Sequence, residues 1–214
     1  KNEVNMENLF NQCRRLLRVT SLNYVRPIIK QVHWNQRLIS IRGARGVGKT
    51  TLLLQYIKQT YGDNPTEAIY VSLDNLYFSR HTFIDFVEDF YKMGGKCIFA
   101  DEVHKYHGWS QELKNAYDAF PDMRFVITGS SVINILNSDA DLSRRCINYN
   151  MQGLSFREYL ALCEGLKFDK IDLPSLLEEP DKLCMAVNEK CRPLAHFDRY
   201  IKTGYYPFVL EGED

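Results

Sequence analysis

The feature that most constrains this chain is the run Gly43-Ala44-Arg45-Gly46-Val47-Gly48-Lys49-Thr50, a full match to G-x-x-x-x-G-K-[ST]. It follows an apolar run at 37–41 and precedes a helical pattern at 50–60, so it reads as the turn between a strand and a helix. Glycines let such a turn wrap closely enough for successive amides to converge on an anion, and the amino end of the next helix adds positive charge. With glycine making up about 7% of ordinary sequences, a chance match in a chain this long has a probability well under ~1%. The stretch from Gly43 through Thr51 is therefore the candidate phosphate cradle. Lys49 is placed to neutralise charge on the β- and γ-phosphates, and Thr50 to offer its hydroxyl to Mg²⁺.

Five short apolar or β-branched runs, at 37–41, 68–73, 96–100, 124–128 and 146–149, read as strands. Helical spacing separates them, as in Leu52, Leu53, Tyr56 and Ile57, and again in Phe83, Phe86, Val87 and Phe90. The runs at 68–73, 96–100 and 124–128 are nearly continuous in apolar residues, as strands covered on both faces should be. The expected fold is α/β, a P-loop NTPase in three αβα layers around a parallel sheet. The first 35 residues look helical, with Leu9, Phe10, Cys13, Leu16 and Leu17 as the apolar stripe.

Past Met151 the strands stop. Ser155-x-x-Glu158 reads as a capping box opening a helix at 155–163, and further helices are expected near 174–178, 181–189 and 194–202. The expected organisation is a core at 1–150 with an N-terminal helical segment, then a small, lid-like helical subdomain at 151–214. Apolar residues run on through Tyr205, Tyr206, Phe208, Val209 and Leu210, so the chain is expected to stop short of a further C-terminal domain.

Asp101 and Glu102 end the third apolar run. With a phosphate loop upstream, Asp101 is placed to accept from the metal's water shell, and Glu102 to orient and deprotonate an attacking water. The fourth run ends in Thr128-Gly129-Ser130-Ser131. Ligands in open parallel sheets sit at the carboxyl ends of strands, so Thr128 is a candidate to sense the γ-phosphate or hold the lytic water. The competing role for these hydroxyls is to cap a helix starting at Val132. Asp74, at the end of the second run, is placed to join the same rim, but a capping or turn-forming role with Asn75 is the favoured reading.

Composition narrows the setting. Lysine plus arginine and aspartate plus glutamate each total 27, so no global charge supports nucleic acid or anionic lipid as a partner, though nucleic acid stays open. Six dispersed cysteines without a C-x-x-C pair read as reduced, mostly buried thiols of a cytoplasmic protein. No window approaches the roughly 18 apolar residues of a membrane span.

The ordered set of phosphate loop, Asp101-Glu102-Val103-His104 after a strand and Thr128-Gly129-Ser130-Ser131 after the next resembles prokaryotic AAA-superfamily ATPases that carry a C-terminal domain of unknown function. Arg26-Pro27, Leu154-Ser155-Phe156 with Glu158-Tyr159-Leu160, and Gly204-Tyr205-Tyr206-Pro207 extend the likeness over nearly the whole chain. The resemblance implies ATP with Mg²⁺, strand order 5-1-4-3-2, Lys49 and Thr50 at the phosphates, Asp101 at the metal, Glu102 as catalytic base and Thr128 as sensor. It also places Arg144 or Arg145 as an arginine finger, although Ser143 stands where such proteins have glycine, and an arginine ahead of a strand reads equally as a surface salt-bridge partner. A homo-oligomer, or a protein partner reached through the missing C-terminal region, is the implied assembly.

Other readings compete. Asp101-Glu102-Val103-His104 also matches a DExH box, but a helicase needs a second recombinase-like domain that 214 residues cannot hold. His104 and His107 as metal ligands compete with a solvated loop pair. A small-molecule kinase, a nucleic-acid-associated ATPase, and a nucleotide-dependent switch or interaction module with little turnover all remain alternatives. The expected function is ATP binding and hydrolysis with Mg²⁺, coupled through the γ-phosphate to the helical subdomain.

Overall fold

The computed structural model describes residues 2–129, 142 and 144–207. Ser130, Ser131 and Ser143, and the helix expected from Val132, lie outside the described residues. The chain divides into two compact units, Lys1–Gln152 and Gly153–Asp214.

In the first unit, β1 (Leu38–Arg42), β2 (Ala68–Ser72), β3 (Cys97–Asp101), β4 (Arg124–Gly129) and β5 (Ile147–Asn150) form one sheet ordered β2-β3-β4-β1-β5. This is the expected order, and every pairing is parallel. Each observed strand begins and ends within about one residue of its apolar run, because the runs are bounded by charged or turn-forming residues. From β1 the chain crosses through α2 (Lys49–Tyr61) to the far edge at β2, then returns through α3 (Phe83–Lys92) and α4 (Trp109–Ala119). Right-handed crossovers running in opposite directions put α2 on one face and α3 with α4 on the other. Three layers result.

The core is aromatic as well as aliphatic. Tyr56 and Tyr61 of α2 bring their rings to 5.9 and 6.5 Å from that of Phe99 on β3. Phe83, Phe86 and Phe90 bury one stripe of α3. Helix α4 carries a sparser stripe, only Leu113 and Ala116 being buried, and the periodicity of the sequence does not single it out.

Helix α1 (Asn2–Val19) buries Met6, Leu9, Cys13 and Leu17, while Phe10 and Leu16 are half-buried. It ends well before residue 35, and a short 3-10 turn at Pro27–Lys30 follows. Lys58 of α2 donates to Leu17 O and Thr20 O, both at 2.9 Å, setting a cation on the carboxyl end of α1. Cys13 Sγ accepts from Tyr70 N at 3.4 Å, so α1 covers the outer edge of β2.

The second unit contains α5 (Phe156–Cys163), α6 (Leu173–Glu178), α7 (Pro180–Lys190) and α8 (Pro193–Thr203). Prolines at the first or second position start the last three, where a missing N–H costs nothing. The Ser155–Glu158 capping box is present with both bonds formed. Leu154, Tyr159 and Leu160 form the buried cluster, and Tyr200 of α8 packs on it while donating to Leu154 O at 2.6 Å.

No disulfide joins the six cysteines. Cys13, Cys97 and Cys146 are buried, Cys163 and Cys191 half-buried, and Cys184 exposed, so burial accounts for only half of them. No helix among the described residues is long and apolar enough to cross a membrane.

Candidate functional site

The loop after β1 is shaped by its glycines. Gly46 and Gly48 have φ of 84° and 91°, and a Cβ on Gly43 would lie 2.3 Å from Met151 O. Gly48 is the N-cap of α2, with no side-chain capping bond and no acid in the first turn. The first amides of α2 are thus left for an anion, unlike those of α5, which its capping box occupies.

Lys49 is 5% exposed, and its ammonium donates to Gly43 O and Ala44 O, each at 3.0 Å, spanning the loop mouth. Burial pulls its pKa below the ordinary lysine value, while the charges of Glu102 and Asp101 oppose the shift. Thr50 Oγ1 donates to Asp101 Oδ2 at 2.6 Å. Thr51 follows, exposed, on the first turn of α2, and Arg45 is exposed in the loop.

Asp101 is 2% exposed at the end of β3, and its two oxygens receive four donors. Oδ2 accepts from Thr50 and, at 2.8 Å, from the hydroxyl of Tyr70. Oδ1 accepts from Thr128 Oγ1 and, at 3.1 Å, from Glu102 N. Thr128 Oγ1 also accepts from Glu102 N, at 3.2 Å. The carboxyl ends of the inner strands β1, β3 and β4 therefore bring Lys49, Thr50, Asp101, Glu102 and Thr128 together.

Glu102 has φ 52° and ψ 40°, and among the described residues it alone has positive φ without being glycine. Such a conformation in a glutamate costs about 1 kcal/mol and turns the side chain off the line of the strand. Its carboxylate meets His104, Oε2 to Nε2 at 3.3 Å. His104 is thus a neighbour of Glu102, and no group of three His, Cys, Asp or Glu among the described residues converges as a ligand set.

Two further contributors come from outside the site's motifs. Arg26 Nη1 donates to Val47 O in the loop at 3.0 Å and to Gln152 O at 2.9 Å, tying the loop to the end of the first unit. Tyr70 has one available signal: a tyrosine in a doubly covered strand needs a partner for its hydroxyl. Burial pushes that phenol upward, and the Asp101 charge pushes it further.

Arg144 and Arg145 do not join this chain's own phosphate loop. Arg144 is exposed. Arg145 pairs with Asp118 and lies 5.5 Å from the Tyr117 ring centre, ahead of the first residue of β5. The loop instead follows the last residue of the parallel strand β1, so the two sit at opposite ends of the sheet.

A phosphate loop between the first strand and its helix, with an acidic pair ending a strand two places away, defines an AAA-superfamily P-loop ATPase fold. The family model described as AAA domain matches residues 35–160, and the chain belongs to that family. An uncharacterized protein of Methanocaldococcus jannaschii is 29% identical over 84% of this chain, which spans only 40% of that relative's length. AMPPCP-bound DnaA from Aquifex aeolicus shares the fold at TM-score 0.53 and 18% identity, covering 87% of this chain and 56% of its own. PCH-2 of C. elegans aligns at TM-score 0.42 and 16% identity, over 75% of this chain and 45% of its own.

Proposed function

We propose that the chain binds ATP at the loop Gly43 to Thr51 and hydrolyses it with Mg²⁺. The observation that carries this is the junction of Thr50 with Asp101 at 2.6 Å, with Glu102 next in sequence on the same rim. Loop amides and Lys49 hold the β- and γ-phosphates. The donor set fits Mg²⁺, which favours a few hard oxygens together with phosphate and water. Thr50 Oγ1 and the Asp101 carboxylate would hold it, and when bound it supplies charge neutralisation at the phosphate oxygens.

Glu102 orients the attacking water and takes its proton. Thr128 works through its neighbours, donating to Asp101 and accepting from the Glu102 amide, and so holds base and carboxylate in register. The same proposal couples nucleotide state to the helical unit. Its support is the Arg26 bridge from Val47 O in the loop to Gln152 O, together with Met151 N donating at 2.7 Å to Arg42 O, the last residue of β1 before the loop. An arginine finger from Arg144 or Arg145 requires a second copy of the chain, since neither reaches its own loop.

The His104 contact with Glu102 favours a second reading, a slow switch whose base is held back until a partner releases it. The AMPPCP-bound fold neighbour makes an adenine nucleotide the first to test. The experiment is a calorimetric titration with ATP and with GTP, alongside Mg²⁺-dependent phosphate release. Tight ATP binding with steady release supports the hydrolase. Tight binding without release supports the switch, and no ATP binding overturns both.

A further inference from the structure

We propose that Tyr70 is a positioning residue of this site, its hydroxyl fixing the Asp101 carboxylate so that Oδ2 stays turned toward Thr50. The inference rests on the reading of Thr50 and Asp101 as the metal-holding pair.

Tyr70 lies on β2, in register with Phe99, while Ser72 is in register with Asp101, so Tyr70 projects on the same face as the carboxylate two residues along the neighbouring strand. It is 7% exposed. Its hydroxyl is 2.8 Å from Oδ2, the oxygen that also accepts from Thr50 at 2.6 Å. The opposite oxygen is held by Thr128 and by the amide of Glu102. Removing the Tyr70 hydroxyl leaves Oδ2 with Thr50 alone, so the carboxylate keeps three of its four donors and is held less firmly about its Cβ–Cγ bond on the side that faces Thr50.

A phenylalanine would fill the same apolar space on β2 without burying a polar group. The strand's outer edge is secured separately, by Tyr70 N donating to Cys13 Sγ. The hydroxyl is therefore not needed to seat β2, and its bond goes to the one carboxylate that the site needs aligned. Groups that orient metal-holding side chains from behind change metal affinity by roughly 10–100-fold when removed.

The test is the binding of AMPPCP, followed by calorimetry across a Mg²⁺ series and in EDTA, for wild type, Tyr70→Phe and Cys13→Ala. Tyr70→Phe is expected to need about tenfold more Mg²⁺ to tighten nucleotide binding, with EDTA affinity near wild type and a modestly lower melting temperature, since a buried carboxylate oxygen loses one of its two donors. Cys13→Ala, which disturbs the edge of β2 and keeps the hydroxyl, is expected to show the wild-type Mg²⁺ requirement. If wild type responds to Mg²⁺ and Tyr70→Phe matches it, or Cys13→Ala shifts it equally, the inference is overturned and the site reading stands. If wild type binds AMPPCP with no response to Mg²⁺, the site reading fails and takes this inference with it.

Discussion

Thr50 Oγ1 donates to Asp101 Oδ2 at 2.6 Å across 51 positions of sequence. The bond joins the first turn of α2 to the end of β3, two strands apart in the sheet, so the phosphate loop and the acidic rim are held as one unit. Thr50→Ala leaves a buried carboxylate oxygen short of a donor, a loss of roughly 1–3 kcal/mol. We expect Mg²⁺-dependent turnover to fall about 10–100-fold while nucleotide binding in EDTA is kept. Equal loss of binding with and without metal would contradict this.

Lys49 carries a charge that burial opposes. Its folded-state pKa lies below the ordinary 10.5, so the unfolded chain binds that proton more tightly, and stability rises with pH between the folded value and 10.5. Near neutral pH the buried ammonium is a net cost. Lys49→Met should therefore melt no lower than wild type without nucleotide, with any gain shrinking as pH nears 10.5, while ATP affinity falls at least about tenfold. Scanning calorimetry over a pH series checks the first part and an ATP titration the second.

Burial pushes the Cys97 thiol up to about 12 and that of Cys146 to about 11, and raises that of Cys13. Folded Cys97 and Cys146 hold their protons to higher pH than the unfolded chain does, and Cys13 is shifted the same way, so stability present below the ordinary 9.0 is lost as pH rises from there through about 11 and 12 for Cys146 and Cys97. A thiol reagent under mildly alkaline native conditions should modify Cys184 first and Cys163 and Cys191 more slowly. Cys13, Cys97 and Cys146 should react only on unfolding. Mass spectrometry of modified peptides reads the order directly.

Ser155 Oγ accepts from Glu158 N at 3.3 Å, and Glu158 Oε2 accepts from Ser155 N at 2.9 Å. Ser155→Ala breaks this reciprocal cap and should destabilise α5 by about 1 kcal/mol. Faster amide exchange confined to the first turn of α5 is the expected signature.

Where a signal is local and physical, it is readable in sequence. The apolar runs ending at Ala100 and Thr128 gave strands, and the motif at Gly43 to Thr50 gave a strand–loop–helix turn, because pattern and geometry share one period. Helix α4 escaped because its buried residues are only Leu113 and Ala116 among polar neighbours. Tyr70 escaped because its partner stands on another strand, and Arg26 because its two acceptors lie 21 and 126 residues away. The positive φ of Glu102 has no residue-type signature, since glutamate rarely takes it. The ion pair of Arg145 with Asp118 is likewise a product of how α4 and β5 come together.

The most direct test of the account is phosphate release from ATP by Glu102→Gln beside wild type, under single-turnover conditions, with ATP affinity measured in parallel. The account predicts that Glu102→Gln binds ATP within a few-fold of wild type and releases phosphate roughly 10²–10⁴-fold more slowly. Wild-type release with Glu102→Gln unchanged would contradict the account and remove Glu102 as the base.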